Sequence, residues 1–288
     1  MTTEMRERTA DLMTIVLGRE VKDYDTIHCG AFTPLVLASG MWAMAHHAPH
    51  SAILPLSLTG VINRSPFPIS LSLVEGMNLA SGVQYPMVDV FTHVEGVPGC
   101  AYEPVNPLQV DARGNVNTSV LGEYDNPKFR GPGPAGLDTL TIMMNHALIL
   151  YCPRHSRKIL VPKVDFVTAV GNDAERRKTS GVSTGGVRKL VTNLCVIRFL
   201  DDGTAELESV HEGVTTEEVL ENTGFDLAVP HSVPATSNPT PRELEILKVI
   251  DPLCIRGLEF MTASERLAEL PDIWEREWHT FQALASEA

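Results

Sequence analysis

The amino-acid sequence predicts an α/β fold, an open and mostly parallel sheet flanked by helices. Strand-like runs alternate with runs of helical spacing along the chain. The clearest unit is a strand over residues 26–29 that ends at Gly30 and leads into a helix of residues 34–47. Thr33 is a suitable N-cap for this helix, and Pro34 suits its first position. A strand, a glycine turn and a helix in this order form a βα unit, and such units build parallel sheets.

The remaining elements follow from local periodicity and turn residues. Residues 4–18 have helical spacing, and "AILPLSLTGV" predicts a buried strand. "PLQVDARGNVN" predicts two strands joined by a turn. "TLTIMMNHALILYC" suits either a helix or a strand, whereas "KILVPKVDFVTAVG" and "KLVTNLCVIRFL" predict strands. "TTEEVLENTGFDL" predicts a short capped helix ended by Gly224, and a Pro/Ser/Thr connector with a helical tail follows.

Composition and charge exclude several classes of protein. The 288 residues are 43% apolar and 20% charged, as in an ordinary globular chain. A formal net charge of −13 argues against broad nucleic-acid binding. The sequence holds no apolar run of about 18 residues that could span a membrane, and its start lacks the apolar core of a signal peptide. Five cysteines without a CxxC pair suggest reduced thiols. We therefore expect a cytoplasmic protein that binds neither nucleic acid nor membrane.

Several small clusters are candidates for chemistry. His46 and His50 have the spacing of a metal pair on a helix, but Pro49 breaks that geometry, and we expect no metal site. Cys29 beside Gly30 is a candidate nucleophile, although a buried structural thiol is the simpler interpretation. The basic runs "PRHSRK", "ERRK" and "VRK" suit either phosphate binding or plain surface.

The stretch "RGPGPAG" is the most unusual local feature. Glycine lets the backbone approach a ligand or adopt positive φ, and proline stiffens the chain and removes N–H groups. The loop is therefore both bare and stiff. It lacks the third glycine of a dinucleotide fingerprint, and by itself it suits an unusual turn equally well. The candidate binding loop comprises Gly131, Pro132, Gly133, Pro134, Ala135 and Gly136.

Four runs place this loop in a longer pattern. "DARGNVN", the glycine loop, "KVDFVT" and "EEVLENTGFDL" occur in an order and spacing that resemble the β (B) subunit of glutaconate-type family I CoA-transferases, and "GAFTPLVLAS" is similar too. The resemblance covers roughly residues 10–255. It implies the open α/β sheet of that family, a coenzyme A thioester as substrate, no tightly bound cofactor, and an α subunit as partner in an α₂β₂ or similar assembly. It also implies that the glycine loop approaches the thioester.

One departure from the family pattern bears on the reaction. Family transferases carry a glutamate whose carboxylate attacks the thioester and holds CoA covalently. The matching position here is Leu56, and the nearest downstream acid is Glu75. Related β subunits without this glutamate belong to a steroid ring-cleaving acyl-CoA hydrolase group and to a decarboxylase. The hydrolase resembles this chain in having an arginine before its glycine loop, where Arg130 stands here.

These features favour hydrolytic C–C cleavage of a cyclic acyl-CoA in a catabolic pathway, by an enzyme that is active only with its α subunit. True CoA transfer, of the glutaconate or 3-oxoacid type, stays open, as does a non-catalytic partner chain. An isomerase or ligand-sensing module has no supporting motif. Arg130 is a candidate to bind a substrate carboxylate or enolate, or else a structural ion-pair partner of Glu123 or Asp125.

The C-terminal part is predicted to be a separate helical extension. We assign residues 1–255 to the α/β domain and residues 256–288 to the extension. Trp274, Trp278 and Phe281 share one helical face, so we expect them to be buried, either in the core of this chain or against a partner.

Overall fold

A computed structural model describes residues 2–30, 32–55, 61–62, 68–71, 82–84, 86, 89, 101–102, 104–138, 148–181 and 185–287. The chain forms two compact units, one of residues 1–90 and 239–288 and the other of residues 91–238. The boundary near residue 255, expected from the sequence, stays a prediction. Within the described ranges, no helix has the length and apolar character that crossing a membrane requires.

Helices and strands alternate as the sequence predicts. The helices are α1 (Thr3–Arg19), α2 (Pro34–His46), α3 (Ala174–Thr179), α4 (Thr216–Asn222), α5 (Pro241–Ile250) and α6 (Ala263–Glu287), with a 3₁₀ helix over Ile255–Phe260. The strands are β1 (Thr26–Cys29), β2 (Ala52–Pro55), β3 (Val61–Ile62), β4 (Val83–Gln84), β5 (Ala101–Tyr102), β6 (Pro104–Val105), β7 (Gln109–Val110), β8 (Val116–Asn117), β9 (Val120–Gly122), β10 (Pro127–Arg130), β11 (Leu148–Cys152), β12 (Val187–Thr192), β13 (Cys195–Phe199) and β14 (Ala205–Val210).

The first unit contains the βα unit that the sequence predicts. Strand β1 pairs in parallel with β2, in the register Thr26 opposite Ala52. Helix α2 is buried from Pro34 to Met44, which explains why its sequence is apolar on every face. Thr33 occupies the N-cap position as expected, but its hydroxyl donates to the Gly30 carbonyl oxygen (3.2 Å) and caps no helix amide.

The second unit is built on a five-stranded sheet in the order β14-β13-β12-β11-β6. Strand β11 pairs in parallel with both β6 and β12, whereas β12, β13 and β14 form antiparallel pairs. Every residue of β11 is buried, as expected for a central strand with parallel neighbours. The α/β class with a parallel core is thus confirmed. The part of the ambiguous run "TLTIMMNHALILYC" that the structure describes, residues 148–152, is a strand.

The hairpin of β7 and β8 is confirmed, but the predicted strand over residues 158–171 is wrong. That segment makes only isolated bridges to the hairpin, from Leu160 to Val110 and from Ala169 to Val116. Its hydrogen bonds to the hairpin backbone are concentrated at these two points, and Pro162, which has no N–H group, lies between them. The segment therefore forms a braced loop against β7 and β8.

The sequence predicts burial of the C-terminal tryptophans either in the core of this chain or against a partner, and the first of these alternatives is wrong. Trp274 and Trp278 are each 62% exposed, whereas Ile273 on α6 is buried. Glu277, four residues beyond Ile273, accepts a hydrogen bond from the Leu71 amide (2.6 Å), which marks the inward face. Adjacent helical residues point about 100° apart, so burial of position 273 turns position 274 outward. The side chain of Phe281 lies outside the described residues.

Candidate active site

The glycine-rich loop leaves strand β10 and is fixed to the neighbouring backbone. The Gly131 amide donates to the Ser119 carbonyl oxygen (2.8 Å), and the Gly133 amide donates to the Thr118 carbonyl oxygen (3.2 Å). The Thr118 hydroxyl donates in return to the Gly133 carbonyl oxygen (2.7 Å). Residues 131–133 are therefore held in one conformation before any ligand binds.

The glycines of the loop have different roles. A Cβ at Gly131 would collide with the Thr118 carbonyl oxygen and lie 2.6 Å from Leu108 Cδ1, so only glycine fits. At Gly133 a Cβ would meet nothing within 4 Å, and the requirement there is its φ of +81°. Gly136 also has positive φ (+92°), and so does Ala135 (+46°), which is uncommon for a residue with a side chain. Such conformations cluster at ligand clamps.

The tip of the loop contains two backbone amides, those of Ala135 and Gly136, that can donate hydrogen bonds to a ligand. Among the backbone hydrogen bonds of the described residues, none is donated by the amides of Ala135 or Gly136. Successive amides in turn conformations form concave anion sites in other proteins. These two amides are therefore available to a carbonyl or carboxylate oxygen.

The loop forms one wall of a cavity of about 450 Å³. Gly131, Pro132, Gly133 and Pro134 line it, and so does Arg130. The other lining residues come from the β8–β10 region, from the braced loop 158–171 and from the segment after the glycine loop: Ser119, Tyr124, Asp138, Phe166, Val167 and Thr168.

A pair of hydroxyl groups stands in this cavity. Ser119 Oγ and Thr168 Oγ1 are 2.7 Å apart, and Thr168 Oγ1 also accepts from the Thr118 amide (3.0 Å). One hydroxyl must donate to the other, which leaves the second hydroxyl hydrogen for a further acceptor. Within the described residues that acceptor is not supplied by the protein. The pair can therefore donate one hydrogen bond to a bound ligand.

Arg130 lies at the exposed rim of the cavity. Its Nη2 donates to the Tyr124 carbonyl oxygen (2.8 Å), and its Cζ is 5.0 Å from the centroid of the Tyr124 ring. That ring stacks in turn on Phe166, at 5.2 Å between centroids. Among the ion pairs of the described residues, none joins Arg130 to Glu123 or Asp125. The guanidinium is therefore aimed by an aromatic stack, and its remaining donors are open to an anion.

Of the two acids that bear on the chemistry, Asp138 lies in the cavity wall and Glu75 is outside the described residues. Leu56 and Glu75 lie outside the described residues. Asp138, an exposed residue that the sequence did not single out, lines the cavity seven residues beyond Gly131. Ser119 was also missed, whereas Phe166 and Thr168 belong to the "KVDFVT" run used only as a family signature.

The other clusters are placed elsewhere. The His46 ring stacks on Trp42, whereas His50 Nδ1 forms a hydrogen bond with Asp23 Oδ2 (2.8 Å). The two histidines therefore do not form a metal-binding pair. No group of three or more metal-ligating side chains comes together in the part of the chain that the structure describes. Cys29 is buried, and its thiol contacts Thr33 Oγ1 at 3.3 Å. Its burial agrees with a structural thiol.

The basic runs also separate in the structure. His155 in "PRHSRK" is buried between Thr192 and Thr223 and is unavailable to phosphate. Lys189 of "VRK" pairs with Glu208 at 2.8 Å. The "ERRK" run lies on α3 beside a second cavity, to which Arg177 and Lys178 contribute.

Comparisons with known proteins agree with the fold. No family model matches the chain. It is 28% identical over 248 residues to the B subunit of 3-oxoadipate CoA-transferase from Pseudomonas knackmussii, covering 84% of this chain and 93% of that one. It is 26% identical over 256 residues to the B subunit of glutaconate CoA-transferase from Acidaminococcus fermentans, covering 84% and 92%. It is 31% identical to the cholesterol ring-cleaving hydrolase IpdB subunit of Rhodococcus jostii, over 52% of this chain and 60% of that one.

Two solved structures show the same architecture. The decarboxylase AibA/AibB matches with a TM-score of 0.72 and 26% identity, over 86% of this chain and 96% of that one. Glutaconate coenzyme A-transferase from Acidaminococcus fermentans matches in fold, with a TM-score of 0.76 at 23% identity over 85% and 95%. The fold and its relatives define the chain as an α/β enzyme subunit. More narrowly, it is similar over most of its length to the B subunits of CoA-transferases, which confirms the resemblance drawn from the sequence motifs.

Proposed function

We propose that this chain is the B-type component of a two-chain enzyme that acts on an acyl-CoA thioester and breaks a C–C bond without transferring CoA. The observation that carries the proposal is the cavity beside the glycine loop. It combines a rigid wall, the hydroxyl pair of Ser119 and Thr168, and the guanidinium of Arg130. Coenzyme A thioesters are the substrates that the names of the CoA-transferase relatives imply.

The polar groups suit a developing enolate. In hydrolytic cleavage of a cyclic β-keto acyl-CoA, water adds to the ring carbonyl and the bond to the α-carbon breaks. The electron pair moves to the thioester as an enolate, and a proton then returns to the α-carbon. Fixed donors stabilise such an oxyanion because they need no reorganisation when the charge forms. Decarboxylation of an acyl-CoA yields the same enolate, so this site suits either reaction.

The absence of the family glutamate supports non-transfer chemistry. CoA transfer needs a carboxylate that attacks the thioester, and the resemblance to the family puts a leucine, Leu56, at the position of that glutamate. Names among the relatives agree, because they include a ring-cleaving hydrolase and a decarboxylase. We further propose that an A-type partner supplies the general base, that no tightly bound cofactor takes part, and that the enzyme is cytoplasmic. The four cysteines that the structure describes are free thiols, which suits a reducing compartment.

One observation favours a second candidate, true CoA transfer. Asp138 places a carboxylate in the cavity wall, and in an assembled enzyme it would be a candidate nucleophile. Under non-transfer chemistry Asp138 instead accepts hydrogen bonds or moves a proton.

Trapping separates the two candidates. The chain is purified with its partner and incubated with a cyclic β-keto acyl-CoA. One aliquot is analysed for product by mass spectrometry without further treatment, and a second is treated with borohydride or hydroxylamine before the protein is mapped for adducts. We expect a product heavier than the substrate by one water, with its thioester intact, and no adduct on this chain. The isolated chain should turn over nothing. A trapped adduct on Asp138 or Glu75 would restore CoA transfer, and robust turnover by the isolated chain would remove the need for a partner.

A further inference from the structure

A second cavity, of about 540 Å³, lies in the same unit as the glycine-loop cavity. It is lined by Asn172, Ala174, Arg177, Lys178, Gly181, Gly185 and Asp201. Nothing in the proposed chemistry uses it. Its charge, its backbone and its position each bear on what it binds.

The cavity gathers positive charge in an acidic chain. Two cations of α3, Arg177 and Lys178, line it beside one acid, Asp201, although the whole chain carries a net charge of −13. Lys178 is exposed, and no ion pair of the described residues includes it. Arg177 Nη1 donates to the Gly171 carbonyl oxygen (3.1 Å), and partial burial lowers the pKa of its guanidinium. An anion in the cavity would offset that loss of hydration.

The walls are fixed and bare. Two hydrogen bonds hold the Asn172 side chain to the Val187 backbone. Asn172 Nδ2 donates to the Val187 carbonyl oxygen (2.7 Å), and the Val187 amide donates to Asn172 Oδ1 (3.0 Å). Gly181 and Gly185, with φ of +69° and +77°, present backbone without a Cβ. A backbone of this kind allows a phosphate close approach.

The position relates this cavity to the first one. Thr168 lines the glycine-loop cavity and Asn172 lines the second, so the two cavities flank one short segment. The segment is tied along its length to the β7–β8 hairpin, from the Thr168–Val116 bond to the bond between Asn172 and Arg113. Thr168 and Asn172 are four residues apart, so their Cα atoms are separated by at most about 14 Å. The pantetheine arm of coenzyme A, which joins the thioester to the diphosphate, can cover that distance when it is extended.

We propose that the α3 cavity binds the phosphorylated nucleotide end of the acyl-CoA while the thioester lies in the glycine-loop cavity. This inference rests on the proposed function. Arg177 and Lys178 bind phosphate oxygens, and the Gly181 and Gly185 backbone allows the phosphate to come close. Asp201 accepts hydrogen bonds from a ribose hydroxyl or the adenine amine, and it would favour a nucleotide over inorganic phosphate.

The test is calorimetric titration of the partner-bound protein with CoA, dephospho-CoA, pantetheine and adenosine 3′,5′-bisphosphate. The variant is Lys178→Glu, because that side chain is exposed and its loss should leave the fold intact. The matched control is Lys158→Glu, an equal charge change at an exposed lysine outside both cavities. We expect Lys178→Glu to weaken CoA and adenosine 3′,5′-bisphosphate about tenfold or more, with pantetheine unchanged and the control like wild type.

The outcomes separate this inference from the proposed function. If dephospho-CoA escapes the loss, Lys178 contacts the 3′-phosphate, and if it shares the loss, the contact is with the diphosphate. Equal CoA affinity in wild type and Lys178→Glu, or an equal loss in Lys158→Glu, overturns the inference alone. If CoA and pantetheine fail to bind while adenosine 3′,5′-bisphosphate binds in a Lys178-dependent way, the proposed function falls and the anion site stands. If none of the four binds, both fall.

Discussion

Acid should destabilise this protein through His155, which is buried among uncharged partners. Its ring nitrogens contact Thr192 Oγ1 (3.0 Å) and Thr223 Oγ1 (2.9 Å), and its amide donates to Asn193 (2.6 Å). It thereby joins the end of β11, the β12–β13 turn and the residue after α4. Burial, together with the nearby His211, lowers its pKa from 6.5 to about 4. The folded protein therefore holds this imidazole neutral.

The sign and size of the effect follow from that shift. Between pH 6.5 and about 4 the unfolded chain binds a proton at His155 and the folded chain does not, so the free energy of unfolding falls as the pH falls. On going from about pH 7.5 to about pH 5, His155 alone should lower the free energy of unfolding by about 2 kcal/mol, and by about 3 kcal/mol at most at lower pH. His211 acts in the same direction, because burial lowers its pKa as well.

The assay is urea unfolding at the two pH values for wild type and for His155→Gln, which can form hydrogen bonds but does not titrate. The variant should lose about 2 kcal/mol less than wild type on acidification. His231→Gln is the control, since His231 is exposed and should keep the wild-type pH dependence. An equal loss in wild type and His155→Gln would refute the reasoning. If that variant does not fold, the His155 imidazole is titrated by NMR in the wild-type protein. A titration midpoint near 6.5 in the folded protein would then refute the reasoning.

The remaining predictions concern the loop, its arginine and the exposed helix face. In urea unfolding, Gly131→Ala should lower the free energy of unfolding by about 1–3 kcal/mol, because the added Cβ meets a backbone carbonyl. Gly133→Ala should lower it by only about 1–2 kcal/mol, the cost of positive φ for a residue with a side chain. A larger loss in Gly133→Ala than in Gly131→Ala would contradict this account of the loop. Arg130→Lys should reduce turnover about tenfold to a hundredfold because it loses the planar fork, and unchanged turnover would make Arg130 structural. Replacing both Trp274 and Trp278 with Gln should leave the circular dichroism intact but weaken partner binding in size-exclusion chromatography, and wild-type assembly would show that the partner does not cover this face.

Local chemistry in the sequence predicted much of the fold. Helix α1, strand β1 and helix α2 were readable because their apolar spacing and flanking turn residues act within a few positions. The glycine loop and Arg130 were readable for the same reason, since glycine and proline restrict their own backbone. The family motifs then indicated what such a loop binds.

The rest of the candidate site depended on contacts between distant parts of the chain. Thr168 reaches Ser119 only because loop 158–171 is braced against the β7–β8 hairpin, and neither residue's own neighbours indicate that pairing.

The outward turn of Trp274 was likewise decided by packing. The helical pattern predicts a face but not what covers it, and the inward burial of Ile273 fixed the rotation of α6. The sequence by itself determined elements and the loop because those depend on short-range sterics and periodicity. The tertiary structure decided the cavity, its hydroxyl pair and the exposed face, because those depend on which distant surfaces pack together.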